Sequence, residues 1–341
     1  MLDQKIIFIL IISSLVTLAT ILLLRPLAIK LGIVDMPTKR KLHQGNIPII
    51  GGICIFIGML VSIILELRNE NVLIVVIVSS FCILILGFID DCRPLSVIIK
   101  VLFQLTIVSL MVWFTQLNFD TFGHSFGLTK QISLGFLSYP VTIVGIVFVT
   151  NAFNLMDGSD GLAGSLAFLA IIGINIVEFI FLGSSFNIIS LAIAGSLIPF
   201  LWFNLTKLYK HKIFLGDCGS LFLGYIIACL LLNQTQTNNN ISPTMSLWIV
   251  AVPIFDVIAV MIYRIKNSNS LFTPDRSHLH YFLERLGLSN IAVLLSIIGL
   301  AVLILLVGLT VEYKARHLSF FTFLFLLVIY VWLRIFSKYS K

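Results

Sequence analysis

Five aspartates of this chain stand where a long apolar segment meets a loop: Asp90 and Asp91 after one segment, Asp157 and Asp160 after another, and Asp217 just before a third. Carboxylates at a membrane boundary are costly unless they meet a cation, a proton or a phosphate-bearing ligand. The pattern points to chemistry on charged oxygen, and each motif has to be weighed against a plainer structural role.

Asp90 and Asp91 close an apolar helix in Gly87-Phe-Ile-Asp-Asp-Cys-Arg-Pro94, and the next helix carries Lys100 and Gln104. Neighbouring helix positions point about 100° apart. One carboxylate can then face a site while the other bonds the next helix or a lysine. A solvated helix end, with Arg93 as ion-pair partner, is an equally good reading of this motif alone. In Asn151-Ala-Phe-Asn-Leu-Met-Asp-Gly-Ser-Asp-Gly-Leu162, Asn151, Asn154, Asp157 and Asp160 recur every three residues, on one side of a helix end or of the turn after it. Four convergent oxygen-bearing side chains suit a hard cation such as Mg²⁺, or the hydroxyls and amides of a sugar nucleotide. A capped turn is the alternative.

Phe214-Leu-Gly-Asp-Cys-Gly-Ser220 opens a helix. Its glycines let backbone N–H groups approach an anion, and Asp217 could hold a metal that a diphosphate also binds. Taken alone, Asp217 reads as an ordinary N-cap. Further on, Arg276, His278 and His280 form a cluster suited to phosphate or carboxylate groups. Leu279, Phe282, Leu283 and Leu286 make one apolar stripe, which predicts a segment lying along the membrane surface with the histidines on its other side. Zinc is disfavoured, since no cysteine is near and H-E-x-x-H is absent. The first basic loop, Lys39-Arg-Lys-Leu-His43, anchors to an anionic leaflet or attracts a polyanionic substrate.

These residues must be positioned by membrane helices. The chain has 341 residues, of which 59% are hydrophobic and 11% charged. Such a composition excludes an ordinary soluble protein. Spans need roughly 17 to 25 apolar residues, and the sequence predicts eleven: Ile6–Leu24, Ile49–Leu67, Val72–Phe88, Val97–Phe114, Ser138–Ala152, Leu162–Leu182, Ile188–Phe203, Ser220–Leu232, Met245–Tyr263, Ile291–Val311 and Leu318–Phe336. The fifth and eighth are short, so either their ends run into the motif loops or they do not cross fully. The first segment reads as a retained helix rather than a signal peptide. Gln234–Asn240 reads as a flexible solvated connector.

Most of the 22 lysines and arginines fall in the odd-numbered loops and the C-terminal tail. That places the N-terminus outside, the C-terminus in the cytoplasm and all five aspartates on the cytoplasmic side. The fold expected is an all-α, polytopic bundle forming a single domain over 1–341, its site built from loops 25–48, 89–96, 153–161, 204–219 and 264–290. The net charge of +7 is ordinary for a basic inner face and gives no nucleic-acid site. Five cysteines without a C-x-x-C pair suggest packing residues, neither disulfides nor zinc ligands.

In this order and across nearly the whole chain, these blocks resemble the polyprenyl-phosphate N-acetylhexosamine-1-phosphate transferases of glycosyltransferase family 4, and within them the undecaprenyl-phosphate GlcNAc-1-phosphate branch. The resemblance is carried by Asp90-Asp91, Asn151-x-x-Asn154-x-x-Asp157-Gly-x-Asp160-Gly161, Leu215-Gly-Asp-x-Gly-Ser220 and Pro274-Asp-Arg-x-His-x-His280. It departs at Tyr281, where the family's usual ending has a further histidine.

The resemblance implies a Mg²⁺ or Mn²⁺ cofactor, a UDP-N-acetylhexosamine donor, an undecaprenyl phosphate acceptor within the bilayer, and release of UMP at the cytoplasmic face of the bacterial inner membrane. It implies metal ligation by Asp217 and Asn154, and acceptor phosphate handling by Asp90 or Asp91 with Lys100. Donor contacts would come from Asn151, Asp157, Asp160, Arg276, His278, His280 and His43. The product would feed O-antigen, teichoic acid or a related envelope polysaccharide, with GalNAc, a deoxy sugar or MurNAc-pentapeptide as alternative donor sugars. Asp256 and Arg264 are expected to make a structural pairing, and a homodimer is compatible with the chain. An intramembrane aspartyl protease would need glycine where Phe214 stands. An ion-coupled transporter would place its acids near the bilayer midplane.

Overall fold

No water reaches backbone amides in a bilayer core, so a chain this apolar must satisfy them within helices. The computed structural model describes residues 2–36, 45–65, 71–123, 132–183, 187–208, 210–237, 240–268, 270 and 276–336. Helix α1 (Leu2–Leu31) leads to an antiparallel pairing of β1 (Val34–Asp35) with β2 (Ile47–Pro48), Val34 opposite Pro48. Then follow α2 (Gly51–Ile64), α3 (Asn71–Cys92), α4 (Val97–Thr115), α5 (Ser138–Leu155), α6 (Leu162–Leu182), α7 (Ile188–Leu205) and α8 (Gly216–Thr237). The rest is α9 (Pro243–Ile249), α10 (Ala251–Lys266), the short α11 (Leu279–Arg285) and α12 (Asn290–Phe336).

Among the described residues, eight helices are long and apolar enough to cross a bilayer, or nine if α9 and α10 form one span bent by 80°. The protein is an all-helical, multi-span membrane protein. Helix α12 has 47 residues, about 70 Å at 1.5 Å per residue, against a hydrocarbon core of roughly 30 Å. Non-helical backbone at Ala315 divides it into two halves.

Several expected boundaries move. The fifth and eighth segments are not short, because α5 and α8 extend into the polar motifs; the short apolar helix is instead α2, with 14 residues. The segment Met245–Tyr263 is not one straight helix but breaks at Val250 between α9 and α10. The Gln234–Asn240 connector is also corrected: α8 continues to Thr237, Gln234 and Thr235 are buried, and the Gln234 amide donates to the Ile174 carbonyl at 2.8 Å. A glutamine that finds a carbonyl on a facing helix loses the desolvation cost that would have kept it in a loop. The Gln236 side-chain oxygen similarly accepts the Asp120 N–H at 2.9 Å. Of the cysteines, Cys54, Cys218 and Cys229 are buried, whereas Cys82 and Cys92 are exposed.

Helix α8 is the axis of the bundle. It is the least apolar of the eight candidate spans and the most enclosed: 83% of its apolar window is buried inside the protein, against 22% for α1 and α4. Small residues allow this enclosure. A Cβ at Gly52 would overlap the backbone of Gly219, and one at Gly87 would overlap that of Asp217 and Cys218. Helices α2 and α3 therefore meet the first turn of α8 backbone to backbone. The chain entering α8 is stitched to the start of α2, with Phe214 N–H donating to Pro48 at 2.8 Å, and Gly51 and Gly52 N–H donating to Phe214 and Leu215 at 2.9 and 3.1 Å. The N-terminal end of α8 is thus fixed from several sides, and the aspartate motifs gather around it.

Candidate active site

The centre of the cluster is Lys100, one turn into α4. Its Nζ lies 2.6 Å from Asp90 Oδ2 and 3.3 Å from Asp217 Oδ2, so a single ammonium bridges carboxylates from α3 and α8. Asp90 is buried, and its other oxygen accepts the Leu95 N–H at 2.6 Å. Asp217 is the open member, with 34% of its side chain accessible against 6% for Asp90. Asn154 donates its amide to Asp217 Oδ1 at 3.0 Å and to the Ser220 hydroxyl at 2.9 Å. Its Oδ1 is then the remaining ligating atom on that side chain.

Asp91 points elsewhere. Its two oxygens accept the N–H groups of Asp217 and Cys218 at 2.8 and 3.0 Å. It caps α8 from another helix, supplying an acceptor for orphan donors and negative charge at a helix N-terminus. The 100° turn between adjacent residues sends the pair apart: one carboxylate toward Lys100, the other toward backbone.

Asp157 sits in the turn after α5. Burial, followed by the negative charges of Asp217, Asp91 and Asp160, pushes its pKa well above the usual carboxylate value. Asp160 is ion-paired with buried Lys212, whose ammonium also lies over the Phe214 ring at 5.6 Å. Asn151 donates to Gln104 Oε1 at 2.5 Å, and Gln104 is fully buried, with no partner for its own amide nitrogen among the described residues.

The histidine segment does not sit as expected. Helix α11 forms, but His278 and His280 are 5% and 1% exposed, turned into the protein. His278 Nδ1 meets Asp256 at 2.8 Å. The His280 imidazole presses on the Asp157–Asp160 turn, and a Cβ at Gly158 would strike its Nε2 and Cε1 edge. Burial is the main cause of a pKa lowered to about 4, so His280 is neutral. Arg276 is exposed and lies over the Tyr281 ring at 5.6 Å. Asp256 is engaged by His278, Tyr330 and Arg334. His43 lies outside the described residues, as do Lys39–Lys41, Pro274 and Asp275.

Sequence reasoning overlooked Asn204 and Lys212 as organisers of the site. Asn204 accepts the Gly161 N–H at 2.5 Å and donates to the Ile213 carbonyl at 2.8 Å, tying the aspartate turn to the segment entering α8. An asparagine ending the apolar run Leu201-Trp-Phe-Asn204 was the available signal.

Among the described residues no group of three or more His, Cys, Asp or Glu is spaced to cage a metal ion. Two carboxylates sharing one cation, with an amide oxygen beside them, suit an ion that takes its other ligands from water and substrate phosphate, as Mg²⁺ commonly does.

A family model described as glycosyl transferase family 4 matches residues 73–235, the stretch that carries Asp90, Asp91, Lys100, Asn154 and Asp217. A Bacillus subtilis protein described as a probable undecaprenyl-phosphate N-acetylglucosaminyl 1-phosphate transferase is 38% identical over 85% of this chain and 81% of its own. The undecaprenyl-phosphate alpha-N-acetylglucosaminyl 1-phosphate transferase of Yersinia pestis is 33% identical over 80% and 75%. Its Escherichia coli K12 counterpart is 33% identical over 78% and 73%. With the motifs gathered at one helix end and likeness running through most of both sequences, the chain belongs to glycosyl transferase family 4.

Proposed function

We propose that this protein transfers N-acetylhexosamine 1-phosphate, with GlcNAc the first choice of sugar, from a UDP-sugar to undecaprenyl phosphate. The observation that carries the reading is the convergence of Asp90, Lys100, Asp217 and Asn154 at the N-terminal end of the buried axis helix. An oxygen of the acceptor phosphate attacks the β-phosphorus of the donor, the bond to UMP breaks, and the lipid-linked diphosphosugar remains.

The physical difficulty is bringing anions together. Asp217 with Asn154 Oδ1 would hold a Mg²⁺ or Mn²⁺ ion, which when bound neutralises the donor diphosphate and polarises its phosphorus. Lys100, steadied by Asp90, offers the acceptor phosphate a positive partner. That phosphate has a second pKa near 6 and is largely ionised already, so a strong base is not needed. Asp91 holds the α8 end in place. Asp157, Asp160 and Asn151 serve the donor; His280, Arg276 and His43 complete its phosphate contacts, and His278, bonded to Asp256, holds the segment that carries His280.

In this reading eleven segments cross the membrane: α1 to α8, the bent pair α9–α10, and the two halves of α12. The N-terminus is outside, and the motif end faces the cytoplasm of a bacterial inner membrane. Residues 1–341 act as one domain, and the product enters envelope polysaccharide synthesis.

The test is purified protein in detergent with UDP-GlcNAc, undecaprenyl phosphate and Mg²⁺, with UMP as readout. Metal-dependent UMP release supports the proposal, and its absence with every UDP-N-acetylhexosamine tried would sink it. Parallel reactions with UDP-GalNAc and deoxy-sugar donors fix the sugar.

A further inference from the structure

Asp256 carries no accessible surface, yet an ionised carboxylate in an apolar bundle is costly unless paired. Here it accepts the His278 Nδ1–H at 2.8 Å, the Leu279 backbone N–H at 2.9 Å and the Tyr330 hydroxyl at 3.2 Å, with an Arg334 nitrogen at 3.7 Å. Arg334 also donates to the Ser277 carbonyl, and its guanidinium lies over the Phe282 ring at 4.6 Å. The end of α12 therefore grips the histidine segment on both sides of His278. Apolar residues would fasten two helices at least as firmly as such a buried ionic cluster. What the cluster adds is a fixed register for the segment it holds.

The held segment ends on an unsatisfied group. His280 is 1% exposed, its ring is parallel to that of His278 at 6.2 Å, and neither of its nitrogens has a hydrogen-bond partner among the described residues. Its Nε2 edge is pressed against Gly158, between Asp157 and Asp160. A buried polar group left without a partner costs about 1–3 kcal/mol, a cost removed when something entering the site supplies the bond.

We propose that Arg334 and Tyr330, acting through Asp256 and His278, are positioning residues for the sugar-nucleotide donor: they hold His280 against the Asp157–Asp160 turn, so that the end of the last helix sets donor affinity. The inference rests on the transferase reading above and assigns to α12, which lies outside the matched stretch 73–235, a part in the donor site.

Steady-state kinetics on the full-length protein decide it, with the concentration of each substrate varied in turn. Arg334→Ala is expected to raise the KM for UDP-GlcNAc about tenfold and, by taking a cation from buried Asp256, to lower the melting temperature, while the KM for undecaprenyl phosphate stays near wild type, with partial recovery in Arg334→Lys. Tyr330→Phe, which removes one hydroxyl, should show the same split at a smaller size. Gly158→Ala pushes on the same contact from the other side and should do likewise. In a His280→Ala background Arg334→Ala should add little further, since interacting residues are non-additive. A proportional change in both KM values, or full additivity with His280→Ala, overturns the inference. Unchanged donor KM in Arg334→Ala and Tyr330→Phe does the same. Wild-type protein that releases no UMP defeats the transferase reading instead, so the two failures are distinguishable.

Discussion

Asp91 reaches from α3 to accept the backbone N–H of Asp217 at 2.8 Å, so of two adjacent aspartates one is a helix cap and only the other meets Lys100. Asp91→Ala is expected to lower the melting temperature in detergent, at a cost of about 1 kcal/mol for the lost cap, while Asp91→Asn keeps an acceptor and most of the stability. Asp90→Asn should melt near wild type yet lose about 100-fold or more in UMP release. Equal, mild losses for Asp90→Asn and Asp91→Asn would return the pair to a solvated helix end.

Asp217 is the open carboxylate, and Asp217→Asn should abolish metal-dependent UMP release, by about 100-fold or more, with the fold intact by circular dichroism and size-exclusion chromatography. Normal turnover by that variant would remove Asp217 from the metal assignment.

Lys100 places one positive charge between Asp90 and Asp217. In Lys100→Met the two carboxylates face each other without a cation, and like charges in one site disfavour joint ionisation. The variant should melt lower than wild type in chelator, and added Mg²⁺ should raise its melting temperature by more than it raises that of wild type. Scanning fluorimetry with and without Mg²⁺ measures this, and identical Mg²⁺ shifts in the two proteins would contradict it.

His280 carries the pH prediction. Its pKa falls from the ordinary 6.5 to about 4 on folding, so below pH 6.5 the unfolded chain binds a proton that the folded one refuses. The contribution to stability is fully present above pH 6.5 and is lost as pH falls through about 4, to an extent of about 3 kcal/mol at most. Melting temperatures recorded between pH 7 and pH 4 should drop less in His280→Gln than in wild type.

The membrane class and the motif neighbourhood were legible because each rests on local chemistry: apolar runs of sufficient length, and carboxylates where such runs end. The division between Asp90 and Asp91 was legible as a geometric possibility but not as an assignment. Which residue caps α8 depends on how closely α3 approaches, and that approach depends on Gly87 meeting the backbone of Asp217 and Cys218. The burial of His278 could not be read from the stripe of Leu279, Phe282, Leu283 and Leu286, because its partner Asp256 lies 22 residues earlier. The same holds for Gln234, whose polarity argued for a loop until a carbonyl at Ile174 supplied its bond.

The enclosure of α8 has a consequence for the membranes in which this protein can work. Outer helices answer to bilayer thickness by tilting, because their apolar lengths must match the hydrocarbon around them. Helix α8 meets protein along most of its length, and the carboxylates, Lys100 and Asn154 are referenced to its first turn. A thicker or thinner bilayer therefore acts on the outer helices first and reaches these polar groups only through their packing, which insulates the proposed site from lipid composition.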